Sequence, residues 1–290
     1  MTNLWRRPST ILAATDLTPS SDIAVERAIE LAAYWGARLY IAHVLDDMHS
    51  PGGVPARAKL AEAEIEKRVK SSPAASSVEI EVLTTVGHPA DRLLVKCDRL
   101  FVDLLVMGQG DRKTLTQRLL GTTVDRVVRQ SLQPVLTVRK RSTGPYRNVA
   151  IATDFSATSE VARDCALGLF PSAQATVVHA HELDLHGLFS FDVMTGPLAE
   201  RHALEIIDYS EKAMKIFIAN AKATHSGLKS VIEVGQALEV MVTYAKAHEP
   251  DLVVLGTHGR TGIRRAVIGS VTEQLLNRLE CDVLVVRHNA

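Results

Sequence analysis

The sequence predicts an α/β protein: a parallel sheet flanked by helices, written twice along the chain. Three observations carry this. Short apolar, β-branched runs alternate with stretches of helical periodicity, the pattern that parallel sheets leave in a sequence. The stretch Thr10–Thr18 recurs in form as Asn148–Ser156. A chain of 290 residues also has room for two ordinary domains.

Within the first copy, Thr10–Thr18 reads as a strand ending in a polar turn. Thr18-Pro19 then opens a helix, a hydroxyl cap followed by proline at the first helical position. Ile23, Ala24, Ala28, Ile29, Leu31 and Ala32 give that helix its apolar face. Leu39–Val44 is the second strand, and a helix is expected from Ala56 to Lys70 beyond Pro51-Gly52-Gly53. Val78–Leu83 alternates apolar and acidic residues, as a half-exposed strand does. A helix over Ala90–Cys97, a buried strand over Val102–Met107, a helix carrying Val124, Val127 and Val128, and a strand at Pro134–Val138 complete the unit.

Arg139–Pro145 is charged, then small, then ends in a Gly-Pro turn, which marks the boundary between residues 1–144 and 145–290. Three consecutive cations without aromatics read as a solvated linker rather than a nucleic-acid patch. The second copy repeats the order. It has a helix around Val161–Leu169, a strand over Ala175–His181, a helix from Leu198 to Ala223 and a strand at Lys229–Val234. A helix over Leu238–Ala247, a strand at Leu252–Leu255 and a closing strand at Asp282–Arg287 follow. Asp16 and Asp154 stand 138 residues apart, whereas Gly108 and Gly256 stand 148 apart, so the second copy has gained residues in its middle. The gain falls at Leu185–Pro197, where Phe189, Phe191 and Met194 suggest an apolar flap, a docking surface or a disordered loop.

Basic and acidic residues balance at 33 each, which removes any global electrostatic case for nucleic acid or an anionic membrane. No apolar run approaches the roughly 20 residues that span a bilayer, and Met1–Arg7 lacks a secretory apolar core. Cys97, Cys165 and Cys281 are scattered without zinc or disulfide spacing. A cytoplasmic location is expected.

The stretch from Gly256 to Gly262, running on to Thr272, carries the chemistry. It leaves the Leu252–Leu255 strand, crosses a glycine-rich loop with Arg260, Arg264 and Arg265, and enters a helix at Gly269-Ser270. Glycines permit close backbone approach, and free N–H groups at a helix start attract phosphate. A flexible turn with an ordinary serine cap is the bland alternative. The Walker pattern is excluded because the loop has no lysine. The dinucleotide fingerprint is excluded because this loop lies near the end of the chain instead of after the first strand.

Gly256, Gly259, Gly269 and Ser270, with Arg260–Ile268 as a nine-residue spacer, resemble the glycine signature of the universal stress protein family. The resemblance covers essentially the whole chain and implies two tandem five-stranded parallel-sheet α/β sandwich domains, similar to adenine nucleotide alpha hydrolases. It further implies that Pro134–Val138 and Val283–Arg287 meet as an intramolecular pseudo-dimer, with a further homodimer open.

Carried over by position, the resemblance implies that ATP, with or without Mg²⁺, is held by the second half. Asp154, with the Ala152 backbone near it, would meet ribose or adenine, and the main chain at Ala180 the adenine ring. Gly256, Thr257, His258, Gly259 and Arg260 would wrap the phosphates, and Gly269, Ser270, Val271 and Thr272 would close on them. The first half departs from the signature. Asp111 replaces the second glycine and Val124 stands where the second half has Thr272, although Asp16, Gly121 and Thr122 survive. A carboxylate there would repel phosphate, so the first half is a weaker site or, preferably, a structural partner.

Other readings of single residues stay open. Asp16 and Asp154 are also good turn and cap residues. His179 and His181 share one strand face and, with His186, could hold a metal, though a backbone-satisfied strand histidine is the commoner case. His258 reads as a ligand-side or packing residue. No catalytic base stands out. Three functions are therefore weighed: an ATP-binding regulatory protein of stress physiology with an unidentified protein partner, a slow Mg-dependent ATPase, and a nucleotide-independent interaction module.

Overall fold

The computed structural model describes residues 7–45, 53–109, 123–141, 144–181, 197–221, 227–257 and 268–288, with side chains of the 197–219 helix described from 208 onward. The first half runs β1 (Thr10–Thr15), α1 (Pro19–Trp35), β2 (Arg38–Leu45), α2 (Val54–Lys70), a 3-10 turn (Pro73–Ser77) and β3 (Ile80–Val86). It continues with α3 (Pro89–Arg99), β4 (Leu104–Gly108), α4 (Thr123–Gln130) and β5 (Val135–Val138). The second runs β6 (Asn148–Thr153), α5 (Ala157–Leu169), β7 (Gln174–His181), α6 (Pro197–Ala219) and β8 (Lys229–Val234). It ends with α7 (Ala237–His248), β9 (Leu252–Gly256), α8 (Ser270–Arg278) and β10 (Asp282–Val286).

Local chemistry sets the ends of these elements. Thr18 caps α1 by accepting from the Ser21 amide, with Pro19 following it, and Gly36 at φ 68° stops the helix in the left-handed conformation that glycine adopts cheaply. Ser156 caps α5 in the same way through Ser159.

The ten described strands form one sheet in the order β3-β2-β1-β4-β5-β10-β9-β6-β7-β8. Every neighbouring pair is parallel except β5 with β10, which run antiparallel with Leu136 opposite Leu284. That pair joins two five-stranded halves, so the expected meeting of Pro134–Val138 with Val283–Arg287 occurs. Strand alternation feeds two cores that run through both halves. Ile11, Ala13, Leu252 and Val254 face one, beneath α1 and α5. Leu12, Ala14, Val253 and Leu255 face the other, beneath α3, α4, α7 and α8.

Polar contacts lock the seam. Arg139 follows β5 and donates to the Leu276 and Cys281 carbonyls of the second half. Arg287 follows β10 and donates to the Arg129 carbonyl of the first at 2.6 Å. The Asp282 carboxylate, 3% exposed, accepts from Tyr146 Oη at 2.6 Å and from the Arg139 amide at 2.8 Å. No described helix is long and apolar enough to cross a membrane. The Leu185–Pro197 insertion lies, but for Pro197, outside the described residues.

Candidate functional site

The C-terminal end of β6 makes the first wall. Phe155 takes a left-handed φ of 64°, an unusual conformation for a bulky side chain. Its amide donates to Thr153 Oγ1 at 2.9 Å and its ring packs on His179 with centroids 4.2 Å apart. Asp154 Oδ1 accepts from the Ser156 amide at 3.1 Å, the Asx-turn geometry of its bland reading. The first half repeats the device. Leu17 has φ 65°, its amide bonds Thr15 Oγ1 at 3.0 Å, and Asp16 Oδ1 accepts from the Thr18 amide at 3.1 Å. Burial raises the Asp16 carboxyl, but hydrogen bonds from Thr18, Ser21 and backbone amides outweigh it and hold the group below its ordinary 3.8.

β7 supplies the second wall. His179 Nδ1 lies 2.8 Å from the Thr153 carbonyl and donates to it, as His43 pairs with Thr15 in the first half at 2.9 Å. His181 Nδ1 lies 3.1 Å from Ser210 Oγ, tying β7 to α6. The two rings have centroids 6.4 Å apart, and His186 lies outside the described residues. Among the described residues no group of three or more His, Cys, Asp or Glu is placed to hold a metal ion.

The third wall is the step from β9 to α8. The Thr257 amide donates to the Val286 carbonyl at 3.0 Å, and the Gly269 amide donates to the Thr257 carbonyl at 2.7 Å. The two ends of the intervening loop are thus pinned together at the sheet. Thr272 Oγ1 adds a 2.8 Å bond to the Gly256 carbonyl. Gly256 is needed for a reason other than ligand approach: a Cβ there would stand 2.8 Å from Thr158 Cγ2 on α5. Gly269, at φ −60°, caps α8 without any side-chain hydrogen bond. The amides of Ser270, Val271 and Thr272 make no hydrogen bond among the described residues, as the first turn of any helix leaves them. Glu273, which could fold back over that turn, instead bonds Arg129 at 2.7 Å.

These walls enclose an open cavity of about 490 Å³. Ala152, Asp154, Ala180, Gly256, Gly269, Ser270, Val271 and Thr272 all line it. Thr257 is buried at 2% exposure and acts through its backbone from behind the lining. His258, Gly259 and Arg260 lie outside the described residues. The cavity also has a floor that the sequence reading missed: Val178, Ala237, Met241, Leu255 and Leu275, with Ser159 and His181 at its edge. Ala237 and Met241 sit four apart on α7, a helix-face signal readable in the sequence, but nothing there says which cavity that face meets. The arrangement offers an apolar slot beside a helix N-terminus carrying roughly half a positive charge.

In the first half Val124 replaces Thr272 and is buried in α4, so the Thr272-type hydroxyl bond to the preceding strand has no counterpart among the described residues. Gln109, at the place of Thr257, instead sends its Nε2 across the seam to the Leu276 carbonyl at 3.2 Å. Asp111, Gly121 and Thr122 lie outside the described residues.

Comparison with known proteins accords with this geometry. The model of the universal stress protein family matches twice, over residues 8–139 and 145–287. A Staphylococcus epidermidis protein assigned to that family is 30% identical over 146 residues, covering 49% of this chain and 84% of its own. A universal stress protein from Archaeoglobus fulgidus shares the fold at TM-score 0.70 and 16% identity, covering 97% of this chain and 99% of that one. A functionally unknown protein from Pseudomonas aeruginosa does so at TM-score 0.66 and 18% identity, over 97% and 92%.

Proposed function

The chain belongs to the universal stress protein family, and from that premise we propose that its second half binds ATP and that nucleotide occupancy sets its output in stress physiology. The observation that carries the reading is the 490 Å³ cavity that places an apolar floor and an uncapped helix N-terminus side by side. Its size falls within the range of roughly 300–1,000 Å³ typical of small-molecule sites. An adenine ring needs the apolar slot and a polyphosphate needs the free amides, so the donor set fits this nucleotide.

Val178, Met241, Leu255 and Leu275 would hold the base, with the main chain at Ala152 and Ala180 beside it. Asp154 would accept from the ribose. The amides of Ser270, Val271 and Thr272, with Gly256, Thr257, His258, Gly259 and Arg260, would hold the phosphates. Mg²⁺, where bound, would supply countercharge on the phosphates.

The division falls at residues 1–144 and 145–290. The first part serves as the structural partner that holds α8 through Gln109, Arg129 and Arg139. The protein acts in the cytoplasm, and nucleotide binding changes the surface offered to a protein partner. Mass spectrometry of small molecules released by denaturing freshly purified protein tests the proposal. ATP or ADP near one per chain is expected, with loss in Gly269→Glu. Protein that carries no nucleotide and takes none up from millimolar ATP contradicts it.

A further inference from the structure

A second large cavity, about 590 Å³, lies at the opposite end of β6 and β7 from the first. Arg147 and Ala173, which immediately precede those strands, line it. Its other walls come from α1 (Arg27, Glu30, Leu31, Tyr34), from Ala74, and from Gly144–Tyr146 and Phe170. The Gly144–Tyr146 linker occurs once per chain, so this cavity exists only because the two halves are joined.

Its lining is mostly aromatic and aliphatic, with Arg27 set into it, Glu30 beside Arg27, and the exposed Arg147 as a second cation. Tyr146 and Phe170 meet edge-on with centroids 5.0 Å apart, and Phe170 lies 5.8 Å from Trp35. Tyr34, beside them, stays 50% exposed. The Tyr146 hydroxyl is committed to Asp282, so Tyr146 offers the cavity its ring alone. Arg27 is 6% exposed and its guanidinium lies over the Tyr146 ring at 4.4 Å.

Arg27 Nη1 is spent on Glu30 at 3.3 Å and on the Gly144 carbonyl at 2.8 Å. Nε is buried without an acceptor, its nearest carboxylate oxygen being Asp282 Oδ2 at 3.8 Å. Nη2 makes no hydrogen bond among the described residues. Two carboxylates already balance the charge of Arg27, so what it lacks is an acceptor atom and not an anion. Nε is sealed from the cavity, so Nη2 is the Arg27 donor that a ligand there can meet.

We propose that this cavity is a second ligand site, independent of the nucleotide site, for a planar neutral aromatic molecule bearing a carbonyl oxygen. The rings of Tyr34, Tyr146 and Phe170 pack on the ligand's faces and edges. Its carbonyl accepts from Arg27 and so orients it.

Nile red, a planar neutral dye with a ring carbonyl, is the reporter. Titrated into the intact chain it should give a saturable, blue-shifted emission at one dye per chain, unchanged by saturating ATP. Ala33→Trp, which fills the cavity from the partly exposed side of α1, should weaken binding by about tenfold or more, with far-UV circular dichroism and ATP binding retained. Tyr34→Ala, at a half-exposed position, should weaken it in the same direction. As competitors, 9-fluorenone should displace the dye about tenfold better than fluorene, which has the same rings without the carbonyl. No saturable emission, displacement by ATP, or equal binding to Ala33→Trp would overturn the site. Equal competition by 9-fluorenone and fluorene would overturn the role given to Arg27.

Discussion

Thr272 Oγ1 donates to the Gly256 carbonyl across 2.8 Å, so the first turn of α8 is fastened to the last residue of β9. Thr272 is 8% exposed, and its removal strands a carbonyl at the cavity wall. Thr272→Val, the residue type the first half uses at Val124, should lower unfolding stability by about 1–2 kcal/mol in urea titration. It should also loosen ATP, because the helix amides are no longer held in register. Unchanged stability would mean that water replaces the hydroxyl.

Gly256→Ala should destabilise by about 1–3 kcal/mol, because the new methyl meets Thr158 Cγ2 at 2.8 Å. Thr158→Ser in the same chain removes that carbon and should recover most of the loss, a coupling that a double-mutant cycle reads directly. If the two changes are simply additive, the glycine is there for another reason.

Much of this was legible in the sequence. The unbroken apolar runs at Ile11–Ala14 and Leu252–Leu255 gave strands buried on both faces, and the repeat gave the two halves. Pairing of β5 with β10 came from the family resemblance, since no local pattern encodes which edges meet. The 3-10 turn at Pro73–Ser77 went unread because a single short turn has no period. At the site, the glycine pattern pointed to the step from β9 to α8 that lines the cavity, yet it could not separate two uses of glycine. Gly256 makes room for Thr158, while Gly269 leaves a helix start without a side-chain cap. Met241 and Ala237 were invisible as lining residues because their helix follows an edge strand and meets the cavity only through tertiary packing.

Asp16 gives a pH signature. Its folded value lies below the ordinary 3.8, so its carboxylate favours the folded state. That contribution is fully present above about pH 5 and disappears as pH falls below the unfolded value through the folded one. The stability gap between wild type and Asp16→Asn should therefore be present at pH 7 and close below about pH 4. A gap that stays constant with pH would assign Asp16 a purely steric role.

Tyr146→Phe should cost about 1–3 kcal/mol, because Asp282, 3% exposed, loses its 2.6 Å hydroxyl donor. Chemical denaturation monitored by circular dichroism measures it. A neutral outcome would show that Arg27, 3.8 Å away, moves in to compensate.

The three cysteines should be silent in the native protein. Burial pushes the Cys97 thiol up to about 12 and the Cys281 thiol up to about 11, and raises the fully buried Cys165 further. Thiol titration with a disulfide reagent at pH 8 should find no rapid reaction until denaturant is added, when all three react.

Calorimetric titration of the intact chain with ATP bears most directly on the central claim that the second half alone holds the nucleotide. Wild type should bind one ATP per chain, and Gly269→Glu, which sets a carboxylate at the mouth of α8, should lose it. Two equivalent sites per chain, or undiminished binding by Gly269→Glu, would contradict the account.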